Sequence, residues 1–369
     1  MVVLITGGAG FIGSNFVRLV LEKRPAWKVV NLDKLTYSGN LENLRDVEEI
    51  EGGRRYFFVE GDVCDTALVQ ALFSGAHPLF QRHKDLKPTQ SLRCPIHAVV
   101  HFAAESHVDR SIRDASPFYR TNVEGTRVLL EGARRYWQID ERPASMRSPF
   151  RFVHVSTDEV YGSLELHQAP FTEENPLKPN SPYAASKAAA DLMIQAYVHT
   201  YGLPAVITRC GNNYGPCQHP EKFIPLFITN AFEEKRLPLY GDGHQVRDWI
   251  YVGDHCSALM AVLERGKIGE IYNIGARQEH TNLEVAELIV QRLEKSRDLI
   301  RSIADRPGHD RRYALEAKKI QSALGWKAEY SFRQGLDSTI RWYRDNSSWW
   351  KRLKNEEFWS YYKEFYGSV

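Results

Sequence analysis

The chain has 369 residues, 43% of them hydrophobic, and its 48 Lys and Arg stand against 46 Asp and Glu for a formal charge of +2. That composition supplies a sizeable core for one large domain or two closely joined ones, and it excludes the strongly basic field of a protein that binds nucleic acid or a membrane surface. An anionic ligand has to be met by a local pocket. Five cysteines (Cys64, Cys94, Cys210, Cys217, Cys256) form no C-x-x-C pair or zinc spacing, so neither a disulfide scaffold nor a metal site is expected and a reducing cytoplasm fits best. No stretch approaches the roughly 18 apolar residues of a membrane span, so no membrane partner is expected.

In chain order, Val2 to Ile5 is a short β-branched run, a Gly-rich turn follows, and Phe11, Ile12, Phe16, Leu19 and Val20 recur at helical spacing. Strands are predicted at 28–33, 56–60, 98–102 and 152–156, with helices at 65–73, 117–137 and 182–200. Such alternation predicts an α/β fold, a Rossmann-type doubly wound parallel sheet with helices on both faces. Residues 75–95, with Pro78, Pro88 and Pro95, interrupt the rhythm and read as a surface loop. After about residue 210 the pattern turns to shorter strands, at 237–240, 247–251 and 270–274, between loops rich in Gly, Pro and Asn. The domain reading is therefore residues 1–210 with a returning segment near 241–265, a smaller mixed α/β substrate domain over 211–345, and an aromatic-rich helical segment over 346–369 packed onto the body.

Gly7, Gly10 and Gly13 form a G-x-x-G-x-x-G turn between the first strand and helix. Without Cβ atoms the backbone can bend sharply, approach a pyrophosphate and pack the helix closely, while the helix start offers unpaired N–H donors. Asp33 ends the second strand, twenty residues beyond Gly13. A carboxylate there accepts from ribose hydroxyls and repels a 2′-phosphate, which favours NAD over NADP. Asp62 and Val63 could flank the adenine, and Ala103 and Ala104 leave room against the sheet.

Tyr183 and Lys187 lie four apart on a helix introduced by Ser181-Pro182, so they share a face. A phenol with a reference pKa of ~10 is a poor base at neutral pH, and an adjacent ammonium is expected to lower that value. Tyr183 could then take the proton of a substrate hydroxyl, with Ser156 and Thr157 bonded to the same oxygen. Asp158 and Glu159 follow the strand end, where a loop can turn both carboxylates into the cleft; the plainer alternative is a helix cap or a solvated acidic turn. If both enter, an alcohol oxidised to a ketone makes the neighbouring C–H acidic, Glu159 can remove that proton, and Asp158 can protonate a departing hydroxyl. No metal is needed.

These segments, together with the runs Leu35 to Leu41, His101 to Ser111, Arg209 to Pro216, Gln245 to Trp249 and Asp305 to Tyr313, resemble the extended short-chain dehydrogenase/reductases and within them the dTDP-glucose 4,6-dehydratases. The resemblance runs from residue 1 to about 345. It implies tightly held NAD, with Phe11, Ile12, Lys34, Tyr37 and Asn122 among its contacts, and a cycle that oxidises C4 of a nucleotide-linked glucose, eliminates water across C5 and C6, and returns hydride to C6. It implies Ser111, Asn212, Glu221, Lys222 and Asn273 near a sugar diphosphate, with Arg247, Arg306 and His309 nearby and Pro238 and Tyr240 beside the base. Arg247, next to Asp248, could instead be half of a structural ion pair. The resemblance also implies a homodimer through the helices near 117–137 and 182–200. Two departures are the 75–95 excursion, longer than the family's, and Gly211, where a serine is more usual. A 4-epimerase or decarboxylase of the same superfamily is the competing enzyme reading, which Asp158-Glu159 opposes, and a non-catalytic NAD-binding scaffold is the reading from another class.

Overall fold

The computed structural model describes residues 1–83, 86, 94–141 and 150–367. Seven strands, β1 (Val2–Thr6), β2 (Lys28–Asp33), β3 (Tyr56–Glu60), β4 (Ala98–His101), β5 (Arg151–Thr157), β6 (Ala205–Cys210) and β10 (Ile271–Ile274), form one parallel sheet in the order β10-β6-β5-β4-β1-β2-β3. Both faces are covered, so the strands carry apolar residues on both faces rather than a strict alternation with polar ones. Val3, Ile5, Val29, Val100 and Val206 enter one core, and their neighbours Leu4, Val30, Val99 and Ile207 enter the other. The order of strands reverses between β1 and β4, which opens a crevice beyond their carboxyl ends.

Two small sheets stand over that crevice. β7 (Asn212–Tyr214), β9 (Val246–Tyr251) and β11 (Glu279–Thr281) make one, and β8 (Leu237–Tyr240) with β12 (Ile300–Ile303) the other. Their core is aromatic: Trp349, Trp350, Phe358 and Tyr362 from the C-terminal helices join Phe227 and Trp249, as expected of helices packed onto the body.

The structure departs from the sequence reading in five places. β6 went unread because Thr208 and Arg209 break its apolar run, and β10, grouped by sequence with the later elements, pairs with β6 in the main sheet. A helical stretch over Leu41–Glu51 was not foreseen. The long helix near 117–137 is Ser116–Tyr136 with a widened turn over Tyr119–Gly125, of the kind that displaces a side chain from helical register. In the 75–95 excursion, Pro78–Arg82 is helical, with Pro at its start and His77 capping it; residues 84–85 and 87–93, Pro88 included, lie outside the described residues. The helix Pro182–Tyr201 is bounded as its residues dictate: Ser181 accepts from the Ala184 N–H at 3.1 Å, Pro182 takes the first position, and Gly202 leaves at φ 65°.

Candidate active site

A cavity of about 310 Å³ runs from the Gly-rich turn to the end of β5. Gly7 has φ 73°, and a Cβ there would come within 2.6 Å of the Ala103 backbone; one on Gly13 would stand 2.2 Å from the Gly7 carbonyl. A Cβ on Gly10 would meet only that carbonyl, at 3.3 Å, so this glycine leaves the approach to the helix open. No side chain caps the helix Phe11–Lys23, whose first N–H groups are available to an anion. Asp33 closes the far end, accepting from the N–H groups of Ala9 and Leu35 at 2.9 Å each. Lys34, paired with Asp62 at 2.8 Å, and Tyr37, Val63, Ala103 and Ala104 complete the wall. Neutral backbone donors at the centre and a carboxylate at one end fit a dinucleotide with a free ribose.

At the other end β5 stops at Thr157 and the chain enters a tight turn over Asp158–Tyr161, capped by the Thr157 hydroxyl, which accepts from the Glu159 N–H at 3.3 Å. Gly162 ends the turn at φ 87°, where a Cβ would stand 2.4 Å from the Lys178 carbonyl. On a strand Asp158 and Glu159 would oppose each other; this turn rotates both into the cavity, where they line one wall with Tyr183 and Lys187. The capping residue is Thr157, not an acid, and the acidic pair is not a solvated turn.

The two carboxyls differ. Burial, with Glu159 and Asp248 nearby, pushes Asp158 well above the usual carboxylate range, and its Oδ2 is buried with no partner. Burial also raises Glu159, but Arg306, Arg247 and Lys222 oppose the shift. The two neighbouring carboxyls are thus shifted unequally, Asp158 the further. The expected effect of Lys187 on Tyr183 is not found: burial and the nearby Glu159 push the phenol well above its ordinary value. Although they share a helix face, Lys187 turns under the site, donating to the Val155 carbonyl at 2.8 Å with its Nζ 3.3 Å from His154 Nε2, and burial lowers it to about 8. Ser156 contributes a buried hydroxyl with no partner.

A second cavity, of about 190 Å³, continues from Glu159 under the small sheets and is lined by Asn212, Glu221, Lys222, Pro238, Tyr240, Arg247, Arg306 and His309. Burial would raise Glu221, yet His107, His219, Lys222 and Arg110 hold it at about 2. Arg247 does not pair with Asp248, because adjacent strand residues point apart: its guanidinium packs 4.4 Å from the Tyr313 ring, while Asp248 accepts from the Gln278 N–H. Arg306 does form an ion pair, with Asp109 at 2.9 Å.

Three predicted site residues line neither cavity. Asn122, on the widened helical turn, bonds the backbone of Glu105 and the Ser186 hydroxyl at 2.8–3.0 Å, and so shapes the wall from behind. The Ser111 hydroxyl is taken by the Val108 carbonyl at 2.6 Å. Asn273 accepts from Tyr161 and donates to the Phe171 carbonyl. In return, Ser106, His107, Asp109, Gln218, His219 and Tyr366 line the cavities without having been singled out. Ser106, His107 and Asp109 stand in a motif run already noted, and Gln218 and His219 lie just past another; for Tyr366, in the last helix, the sequence carries no signal. Among the described residues no group of three or more His, Cys, Asp or Glu is disposed to hold a metal, and no helix is long and apolar enough to cross a membrane.

Comparison with known proteins bears on this geometry. A model of the family described as GDP-mannose 4,6 dehydratase matches residues 4–79 and 89–339. The dTDP-glucose 4,6-dehydratase of Neisseria meningitidis is 47% identical, over 96% of this chain and 97% of its own. Two crystal structures superpose closely: that enzyme from Streptomyces venezuelae with NAD bound, at 47% identity and TM-score 0.83, and that from Bacillus anthracis in complex with NAD, at 45% and 0.81, each match covering 96% of this chain and 100% of the other.

Proposed function

The chain belongs to the GDP-mannose 4,6-dehydratase family and, within it, to the dTDP-glucose 4,6-dehydratases, and from that membership we propose that it converts dTDP-glucose to dTDP-4-keto-6-deoxyglucose and water in the cleft described above. It is an NAD-dependent nucleotide-sugar dehydratase. The observation that carries the residue-level reading is the pair Asp158 and Glu159, side by side in one crevice with Tyr183 and unequally shifted.

Gly7, Gly10, Gly13, Asp33, Lys34 and Tyr37 would hold the dinucleotide. NAD, when bound, would supply the hydride acceptor for C4, the hydride donor for C6 and a positive charge that favours the ionised form of Tyr183, a phenol whose pKa burial raises in the protein alone. Tyr183, with Thr157 on the same oxygen, takes the C4 hydroxyl proton. The C4 carbonyl acidifies C5, whose proton passes to Glu159; Asp158 gives its proton to the C6 oxygen, which leaves as water. Glu159 then returns a proton to C5, and Asp158 is reprotonated as Tyr183 releases the C4 proton, so that the groups end as they began and one water is lost. Arg247, Arg306 and Lys222 face the diphosphate, where a guanidinium fork suits two phosphates better than a diffuse basic surface.

Incubation with dTDP-glucose, followed by the alkaline ultraviolet absorbance of 4-keto-6-deoxy sugars, tests the activity. A signal with dTDP-glucose above those with UDP-, CDP- and GDP-glucose is expected, and silence with all four would sink it. We also infer a homodimer through the helices Ser116–Tyr136 and Pro182–Tyr201, which leave Tyr119 and Leu192 exposed, a reading that a monomeric mass in light scattering would overturn. A cytoplasmic location suits the unpaired thiols of Cys64, Cys210, Cys217 and Cys256.

A further inference from the structure

We infer that Asp109 is a positioning residue for substrate binding, whose carboxylate presets Arg306 and Tyr240 and ties the last helix of the chain to them. The inference rests on the reading above that Arg306 and Tyr240 meet the nucleotide sugar. Asp109 lies in the short helix Val108–Arg113 that follows β4, 5% exposed. Its Oδ1 accepts from Arg306 Nη1 at 2.9 Å, and its Oδ2 from the hydroxyls of Tyr240 at 3.2 Å and Tyr361 at 3.3 Å. Those three donors come from β8, from the loop after β12 and from the helix Glu356–Tyr366. Tyr361 also sits 3.1 Å from His107 Nε2. Burial disfavours the ionised form of Asp109, and the charges of His107 and Arg306 more than offset it, so the carboxyl is held below its ordinary value. His107 is itself pushed down to about 4 by burial, which leaves Arg306 as the cation that holds Asp109 ionised near neutrality.

A loop arginine free in solution samples many rotamers and loses that freedom when it binds a phosphate. Arg306, which lines the cavity with Tyr240 and His309, is already held by its bond to Asp109. Asp109 thus acts before the ligand arrives, and Tyr361, which lines neither cavity, acts through it.

Steady-state kinetics on the NAD-loaded enzyme, with calorimetric titration of dTDP, tests this. Asp109→Asn is expected to raise KM for dTDP-glucose and Kd for dTDP about 10-fold, the size of one charge-assisted hydrogen bond, with kcat changed less than about threefold. Tyr361→Phe should raise both about threefold with thermal stability little altered, and it decides the matter if Asp109→Asn does not fold. In an Arg306→Ala background, Asp109→Asn should add less than about twofold, since the residue it positions is gone. If Arg306→Ala raises KM but Asp109→Asn and Tyr361→Phe leave it unchanged, Asp109 has no positioning role. If Arg306→Ala itself leaves KM unchanged, Arg306 is not a substrate ligand, and the role of Asp109 falls with that reading.

Discussion

The cofactor end of the cleft is built around the backbone and small residues of consecutive positions, Gly7 to Gly13, whereas the substrate end is walled by polar and charged side chains brought from β8, β9, the loop after β12 and the segment around Glu221. Neutral N–H donors need no counterion, so the first end is specified by shape. Buried guanidinium and ammonium groups do need partners, and the second end supplies them: Asp109 for Arg306, Glu221 for Arg110. A steric error should therefore damage the first end, and an error of charge the second.

The largest effect expected is at the junction of the two. Glu159→Gln should reduce dehydration about 10²- to 10⁴-fold and abolish deuterium incorporation at C5 from solvent, read by mass spectrometry; normal turnover would remove Glu159 as the base. Gly13→Ala tests the shape-specified end: with a Cβ 2.2 Å from the Gly7 carbonyl, it should cost ~1–3 kcal/mol of stability and release NAD during purification, seen by thermal melting and absorbance. Lys187 carries a cost of burial in the opposite sense. Its folded value of about 8 lies below the ordinary 10.5, so between those pH values the unfolded chain holds a proton that the folded chain lacks. Stability from this group then rises with pH, with the cost full below about pH 8 and gone above 10.5. Lys187→Met should abolish activity yet raise the melting temperature by roughly 2–4 °C at pH 7. Asp158, raised by burial and protonated as the acid, predicts that dehydration declines as pH rises through its pKa, and that Asp158→Asn removes that alkaline limb. The smallest effect concerns Trp349, which donates to Asn43 Oδ1 at 2.9 Å while Asn43 donates to the Ala9 carbonyl of the Gly-rich turn at 2.9 Å. Trp349→Phe should cost ~1 kcal/mol by denaturant titration.

Recognition that depends on consecutive residues could be read before any fold was known. The G-x-x-G-x-x-G turn, Asp33 and the Tyr183/Lys187 spacing act through local geometry, as do the continuous apolar runs that become buried parallel strands. Lys187 marks where such reading stops. Helical spacing puts it on the face of Tyr183, but only the packing of that helix on β5 turns its ammonium towards the Val155 carbonyl. Ser111, Asn122 and Asn273 mark the same limit, since whether a hydroxyl or an amide faces a ligand depends on which neighbours have already taken its hydrogen bonds.

Periodicity and spacing within a few residues were enough to specify the parallel sheet, the dinucleotide turn and the side chains Asp158, Glu159 and Tyr183 that share the crevice. Tertiary structure alone decided the protonation of those groups and the composition of the substrate wall. Burial and the charges of segments distant in the chain set both, and contacts such as that of Asp109 with Tyr361 across 252 positions are encoded by no local pattern.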